Sequence, residues 1–161
     1  FLRTDRGFDT VSRTAGHLAL VTVAGTTGNT DLTYWLREFS GGQWGPWTSL
    51  GGSWGGKTCN LIDAECFSAS RPRIVSWDAN HMAVTSRGTN GRLFVNTWQG
   101  AWGGWVDLGG NVWRRPEPVS WGPGHLSVFV IGSNATILWQ QEFLNGAWSS
   151  WRNLGSGRLL G

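Results

Sequence analysis

Three copies of one motif, a Trp-x-x-Trp pair followed three residues later by Leu-Gly, run through this sequence. The pairs begin at Trp44, Trp102 and Trp148. A unit that repeats at a period of about 20–50 residues is one packing module that cannot bury its own faces, so neighbouring modules must stack. The repeat therefore constrains the architecture before any local pattern does.

The repeat extends upstream of each tryptophan pair. A Val-Ser dipeptide opens the three units, and a histidine follows each valine by six residues. These histidines, which are the only three in the chain, are His17, His81 and His125. Each histidine begins an alternating apolar stretch, and a turn, a third apolar run and the tryptophan pair follow. We therefore expect four short antiparallel strands in each unit.

Four antiparallel strands in about 40–45 residues is the length of a β-propeller blade. The second and third units fit this length, since Val75 and Val119 are 44 residues apart. We predict an all-β fold, a β-propeller segment over 1–161 with three blades. Its parts are blade one at about 8–52, a cysteine-containing connection at 53–72, blade two at about 73–110 and blade three at about 111–157.

The tryptophan pairs should fill the spaces between blades. Residues three apart in a regular strand point to opposite faces of the sheet. We therefore expect one indole of each pair to face the preceding blade and the other to face the following blade.

Three blades do not close a ring, because propellers have about 4–8 blades. The outer faces of blades one and three would expose broad apolar surfaces. We therefore predict a head-to-tail homo-oligomer, most simply a dimer with six blades, or a chain that is part of a longer propeller. The chain begins at Phe1 without Met or signal peptide, which indicates a processed mature protein or a fragment.

The composition argues against several classes of protein. Only 14% of residues are charged and the net charge is +3. The basic residues are scattered, which is not the clustered stripe of a nucleic-acid-binding protein. No apolar run approaches the roughly 20 residues of a membrane helix, so no membrane insertion is expected. We expect no cofactor.

Two cysteines, Cys59 and Cys66, lie in the connection between blades one and two. Their loop setting favours a disulfide in an oxidising compartment, and two free thiols are the alternative. Zinc is not expected, since no histidine or third cysteine lies nearby. The glycosylation sequon Asn134-Ala-Thr136 adds weakly to the prediction of a secreted, extracellular protein.

The run from Pro118 to Gly132, with the Gly-Ala-Trp148-x-x-Trp151-x-x-Leu-Gly ending, resembles a known repeat. It is similar to the repeat of the seven-bladed fucose-binding lectins of the Photorhabdus luminescens type. The resemblance implies non-catalytic carbohydrate binding in pockets between adjacent blades, at several sites per ring. Units of that family commonly carry Tyr-His-Lys-Trp-Trp in strand three, whereas blade two here has Phe94-Val-Asn-Thr-Trp98.

Sugar recognition needs an aromatic surface for the apolar side of the pyranose and a few fixed polar groups for its hydroxyls. Trp77 and Trp121 are the first stacking candidates, because each lies at a strand end beside a repeated histidine. The predicted ligand-binding residues are Trp77, His81, Arg87, Trp98, Trp121 and His125. A structural role remains open for each: a recurring histidine often hydrogen-bonds a neighbouring turn, and the tryptophans can be filler between blades.

The sequence does not indicate an enzyme. It lacks the Ser-x-Asp-x-Gly-x-Thr-Trp turns of sialidases and the Gly-x-Ser-x-Gly elbow of hydrolases. The three histidines are related by repetition and not grouped with a serine and an aspartate. A glycosidase needs two carboxylates across one site, whereas Asp78, Asp107 and Glu142 occupy different repeat positions and nothing brings two of them together. A multivalent lectin with glycans or glycoconjugates as partners is the main prediction. A protein-interaction scaffold and an accessory fragment of a secreted hydrolase are the alternatives.

Overall fold

The computed structural model describes residues 7–25, 32–52, 71–133 and 135–155. These residues form strands and no helix, and the strands make three antiparallel sheets that succeed one another along the chain. The predicted all-β fold with four-stranded blades is thus confirmed. Cys59 and Cys66, like Asn134 of the sequon, lie outside the described residues, so the disulfide and the glycosylation stay predictions.

Each sheet is one blade whose strands pair in chain order. Blade one contains β1 (Phe8–Thr14), β2 (His17–Gly25), β3 (Leu32–Ser40), β4 (Gln43–Trp44) and β5 (Thr48–Ser49). Blade two contains β6 (Arg73–Asp78), β7 (His81–Arg87), β8 (Leu93–Trp98) and β9 (Trp102–Gly109). Blade three contains β10 (Glu117–Gly122), β11 (His125–Ile131), β12 (Leu138–Leu144), β13 (Ala147–Trp148) and β14 (Arg152–Asn153). The outer strand of blades one and three is split, and both pieces pair with the third strand.

Blade two is apolar on both faces because its strands alternate between two cores. In β7, Met82 and Val84 belong to the core shared with blade one. Ala83, between them, belongs to the core shared with blade three. Period-two alternation therefore obliges the central blade to have a neighbour on each side.

The first strands of the blades lie side by side, since β6 contacts both β1 and β10. Arg73 on β6 joins all three blades by ion pairs. Its guanidinium lies 3.3 Å from a carboxylate oxygen of Asp9 on β1 and 2.9 Å from one of Glu117 on β10. The blades thus radiate from a shared inner edge, as propeller blades do.

Both tryptophans of each described inter-blade pair face the preceding blade, so the expectation that they face opposite ways is wrong. Trp102 and Trp105 pack against the core between blades one and two. Trp148 and Trp151 pack against the core between blades two and three. The reason is that the outer strand is irregular between the two indoles. Gly104 has a φ of 90°, and β13 ends at Trp148, so the alternation is reset and the fourth position returns to the same face.

The second tryptophan of each pair also hydrogen-bonds the preceding blade. The Nε1–H of Trp105 donates to the Leu50 carbonyl at 2.9 Å, and that of Trp151 donates to the Leu108 carbonyl at 3.1 Å. Leu50 and Leu108 are the leucines of the Leu-Gly motif. The two halves of the repeated motif therefore meet across each junction between blades.

Candidate functional site

Trp77 lies inside the junction between blades two and three. Its ring stacks on His81 at 5.5 Å between centroids with an interplanar angle of 14°, and lies 6.3 Å from the ring of Phe143 in blade three. Only 7% of Trp77 is exposed. The structure therefore brings together Trp77 and His81 as predicted, but neighbouring rings already cover the indole. Its role in sugar binding stays a prediction.

Asp78 holds the histidine of this cluster. The Nδ1 atom of His81 lies 2.7 and 2.8 Å from the two carboxylate oxygens of Asp78, and the Asn80 amide donates to the same carboxylate at 2.7 Å. Burial opposes ionisation of Asp78, but the hydrogen bonds from Asn80 and His81 outweigh it and lower the pKa of this carboxyl below its ordinary value.

The pKa of Asp78 predicts a loss of stability in acid. A carboxyl whose folded pKa is lowered stabilises the fold above its ordinary pKa of 3.8, and this stabilisation is lost as the pH falls through the folded value. We expect the Asp78→Asn variant to unfold at a lower urea concentration than the wild type at about pH 7. The difference should shrink between about pH 4 and about pH 2, because the lowered pKa of the carboxyl lies on the acid side of 3.8. A difference that stays constant between these pH values would contradict the assignment.

Trp121 and His125 of blade three are the repeat counterparts of Trp77 and His81, but their surroundings differ. Their ring centroids are 5.5 Å apart with an interplanar angle of 43°, and 55% of Trp121 is exposed. Gly122 stands where blade two has Asp78, so no carboxylate follows the indole. Nδ1 of His125 is buried and has no hydrogen-bond partner in the described part of the chain. This pair, unlike Trp77 and His81, leaves a large part of its indole accessible.

Polar side chains lie on the same face of blade three as His125. Gln140 donates through Nε2 to the hydroxyl of Ser127 at 2.9 Å and to a carboxylate oxygen of Glu142 at 2.8 Å. Ser127 and Gln140 are buried. Blade two has Ala83 and other small or apolar residues at these repeat positions, so blade three alone pairs the exposed indole with a hydrogen-bonding network.

Arg87 and Trp98 do not join the Trp77 cluster. Arg87 ends β7, and its Nε–H donates to the Val112 carbonyl at 2.6 Å, which ties blade two to the connection into blade three. Burial lowers the pKa of Arg87 from its ordinary value. Trp98 lies on the opposite face of blade two, against the core shared with blade one, and the guanidinium of Arg13 lies 4.5 Å from its ring centroid. Trp98 therefore cannot form a second wall for a ligand on Trp77.

Arg13 is the blade-one counterpart of Trp77 and Trp121, and it uses its position differently. It pairs with Glu38 of its own blade at 2.7 Å and reaches the Ala79 carbonyl of blade two at 3.4 Å. A cation, a buried indole and an exposed indole thus occupy one repeat position. The repeat fixes where the side chain lies but not its chemistry.

A cleft of about 340 Å³ opens between blades two and three, away from the Trp77 cluster. Its lining residues are Gly110, Asn111, Val130, Gly132, Ser133, Ile137, Trp139 and Trp151. Two indoles supply aromatic surface, and Asn111 and Ser133 supply polar side chains. This combination of an apolar lining with a few polar groups is typical of small-ligand sites.

Backbone contacts hold the cleft in place. The Ser133 amide donates to the Asn111 carbonyl at 2.9 Å, and Val112 bridges to Gly132. Trp151 is fixed by its bond to the Leu108 carbonyl, and its indole lies so close to Gly110 that a Cβ there would be 2.8 Å from the ring. The walls are therefore set by the fold and do not depend on a ligand.

The corresponding place between blades one and two is filled by Tyr34. This buried ring lies 5.2 Å from the ring of Trp105, and its hydroxyl hydrogen-bonds that of Ser86. Burial raises the pKa of Tyr34 above its ordinary value, and the bond to Ser86 opposes this only in part. Its repeat counterpart in blade two is the smaller Leu93, which leaves room beside Trp151.

The sequence interpretation missed this cleft. The motif spacing assigns Trp151 to packing between blades and gives Trp139 no role, and Asn111 and Ser133 lie in connections that have no motif of their own. The signal that was available is Leu93, a smaller residue at the repeat position of Tyr34. The glycines Gly110 and Gly132 do not distinguish this junction, because Gly52 and Gly88 hold the same repeat positions in the first one.

Within residues 7–25, 32–52, 71–133 and 135–155, no three His, Cys, Asp or Glu side chains are grouped so that they could hold a metal ion. The same ranges contain no helix with the length and hydrophobicity that a bilayer crossing needs.

Comparison with known proteins identifies the fold. No protein-family model matches the chain, and no curated protein matches it. Among solved structures it is similar to the fucose-specific lectin from Aleuria aurantia, in a mercury-derivative form, with a TM-score of 0.56 and 18% sequence identity. The alignment covers 89% of this chain and 43% of the lectin, so the chain spans less than half the length of that protein. At this identity the likeness shows the fold alone: the three blades form a β-propeller segment.

Proposed function

We propose that this protein is a non-catalytic lectin that binds a sugar in the cleft between blades two and three. The observation that carries the proposal is the cleft itself, in which Trp139 and Trp151 lie near the polar side chains of Asn111 and Ser133. An indole can cover the apolar face of a pyranose, while an amide and a hydroxyl bond its hydroxyl groups. The volume of about 340 Å³ is at the small end for ligand sites and suits one sugar ring.

The resemblance to the Photorhabdus-type lectins and the similarity to a fucose-specific lectin make fucose the first sugar to test. We also propose multivalency. Each copy in an assembled ring carries one such cleft, whereas Trp121, His125 and the Ser127–Gln140 bond form a second candidate site only where no other blade covers blade three. Weak binding at several such sites becomes strong attachment to a surface that carries many glycans.

The remaining expectations belong to the same proposal. The protein is secreted, Cys59 and Cys66 form a disulfide, and further blades complete the ring. Those blades come from a second copy of the chain or from the rest of a longer one. The competing function is a protein-interaction scaffold, which the filled surroundings of Trp77 favour.

The Ile137→Trp variant tests the site. The larger side chain fills the cleft without removing a hydrogen bond of the fold, so we expect affinity for the sugar to fall at least about 10-fold, as loss of a shaped pocket implies. Asn111→Ala should weaken binding by about 10-fold, the equivalent of one hydrogen bond. Ligand-observed NMR against a panel of monosaccharides identifies the sugar, and calorimetry with the sugar so found measures the affinity.

Trp121→Ala is the matched control for the cleft, because it removes an exposed indole from another face. Binding that survives in Trp121→Ala and fails in Ile137→Trp places the sugar in the cleft. The reverse result assigns binding to Trp121 and overturns the cleft. The absence of binding to any sugar of the panel by the wild type would favour the scaffold function.

A further inference from the structure

In the described part of the chain, five large apolar side chains are exposed on the open face of blade three, where a following blade would stack. They are Val119, Trp121, Ile131, Leu138 and Leu154. Each has repeat counterparts that neighbouring blades cover. Leu138 is 41% exposed, for example, whereas its counterpart Leu93 in blade two is fully buried. This surface is therefore one half of a junction between blades.

The open face of blade one carries the other half. Leu18 is 43% exposed, and its counterparts Met82 and Leu126 are fully buried against the preceding blade. Trp44 is also exposed, while the corresponding Trp102 and Trp148 pack into the inter-blade cores. Among the described residues, these side chains that face the preceding blade are therefore exposed in blade one and buried or partly buried in blades two and three.

The existing junctions show how the two halves would fit. Across the junction between blades two and three, Trp77 meets Phe143 and the Nε1–H of Trp151 donates to a leucine carbonyl. At the same repeat positions, Trp121 of blade three would contact Phe39 of blade one. The Leu154 carbonyl of blade three would accept a hydrogen bond from the Trp47 indole of blade one. Both halves are present on one chain, on opposite sides of it.

We propose that a second copy of this chain covers these faces head to tail. Blade three of each copy stacks on blade one of the other, and two copies form a ring of six blades. Heterologous contacts close into rings when the rotation allows it. Two copies are the number that falls within the usual range of about 4–8 blades, since three copies would give nine.

The charges at the inner edge decide what kind of contact holds the copies together. Glu117 of blade three and Asp9 of blade one share the repeat position of Arg73, so the new junction places two carboxylates in neighbouring blades. Arg115, which contacts Glu117 at 2.8 Å, and the adjacent Arg114 offset this repulsion on the blade-three side. The apolar side chains, not ion pairs, therefore supply the attraction.

Sedimentation equilibrium of the 161-residue chain tests the proposal. We expect a mass that approaches twice the 17.6 kDa of one chain as the concentration rises. Trp121→Arg should raise the dissociation constant at least about 30-fold, because a buried interface tryptophan is a typical hot spot. Val106→Arg is the control: Val106 is equally exposed but lies on the outer strand, and blade three has Arg152 at the same repeat position. A wild-type chain that remains a monomer at high concentration would overturn the proposal.

Leu18→Arg distinguishes head-to-tail assembly from other dimers. It alters blade one, so it should disrupt association as Trp121→Arg does. When the two variants are mixed, one of the two junctions contains only wild-type residues, and association should recover in part. A symmetric dimer through blade three alone would be insensitive to Leu18→Arg, and this result would also overturn the proposal.

The assembly and the sugar site can fail separately. All eight residues that line the cleft belong to one copy, so Leu18→Arg should leave the affinity of the cleft for the free sugar unchanged. Loss of multivalent attachment to a glycan-coated surface, with unchanged affinity for the free sugar, is the signature of the assembly. The proposal of a second copy is judged by the measured masses of the wild type and its variants, and it does not depend on the sugar-binding experiments.

Discussion

The Trp77→Ala variant should lower the free energy of unfolding by about 3–5 kcal/mol, the range for truncation of a buried aromatic side chain. Trp77 contacts His81 in its own blade and Phe143 in the next, and it is 7% exposed. Its removal leaves a cavity inside the junction. Trp121→Ala makes the same change at the same repeat position, but 55% of Trp121 is exposed, so the cost should be below about 1 kcal/mol.

Urea unfolding of both variants measures the difference. Both should be made in a Leu18→Arg background, which keeps a second copy from covering Trp121 and confines the comparison to one chain. Equal losses in the two variants would contradict the burial described for Trp77. A much larger loss in Trp121→Ala would mean that another part of the chain covers the open face of blade three.

The period of the sequence predicted the blades because a packing unit must repeat the residues that its neighbours cover. The histidines and the tryptophan pairs fall at corresponding positions in every blade, and the strand order follows from the short turns between them. The spacing alone could not predict which blade the second tryptophan of each pair packs against. The outer strand is irregular at Gly104 and after Trp148. Side chains there do not alternate between the two faces of the sheet as they would in a regular strand.

The candidate site was less predictable because it is built from parts of different units. The cleft needs Gly110 and Asn111 from the end of one blade and Trp139 and Trp151 from the next. No single repeat contains this set. The predicted cluster of Trp77 and His81 did form within one unit, because residues four apart across a tight turn are brought together by local structure alone.

Differences between the repeats matter more for function than the repeat itself. The position that holds Asp78 beside His81 holds Gly122 beside His125, and the position of the buried Trp77 holds Arg13 in blade one. Each junction between blades therefore has its own chemistry, although the backbone geometry is shared. A role assigned to one copy of a repeated residue does not transfer to the others, and each junction needs its own variants.

Gly110→Ala should destabilise the protein by about 2–5 kcal/mol and also weaken sugar binding. Gly110 has a φ of 78°, which costs an L-residue about 1–2 kcal/mol. In addition, the new Cβ would lie 2.8 Å from the indole of Trp151, and such overpacking costs about 1–3 kcal/mol. The indole cannot move away freely, because it packs against the core and is bonded to the Leu108 carbonyl.

Gly124→Ala is the control that separates the steric contact with Trp151 from the backbone strain. Gly124 has a φ of 73° and no heavy atom within 4 Å of a built Cβ, so this variant carries the backbone strain without the steric contact and should lose only about 1–2 kcal/mol. Urea unfolding gives both losses, and calorimetry with the cleft's sugar gives the binding. If the indole of Trp151 forms a wall of the site, Gly110→Ala must displace it and bind more weakly, whereas Gly124→Ala must bind as the wild type does. Equal stabilities and equal affinities for the two variants would show that Trp151 does not lie against Gly110, and the wall of the proposed site would be lost with that contact.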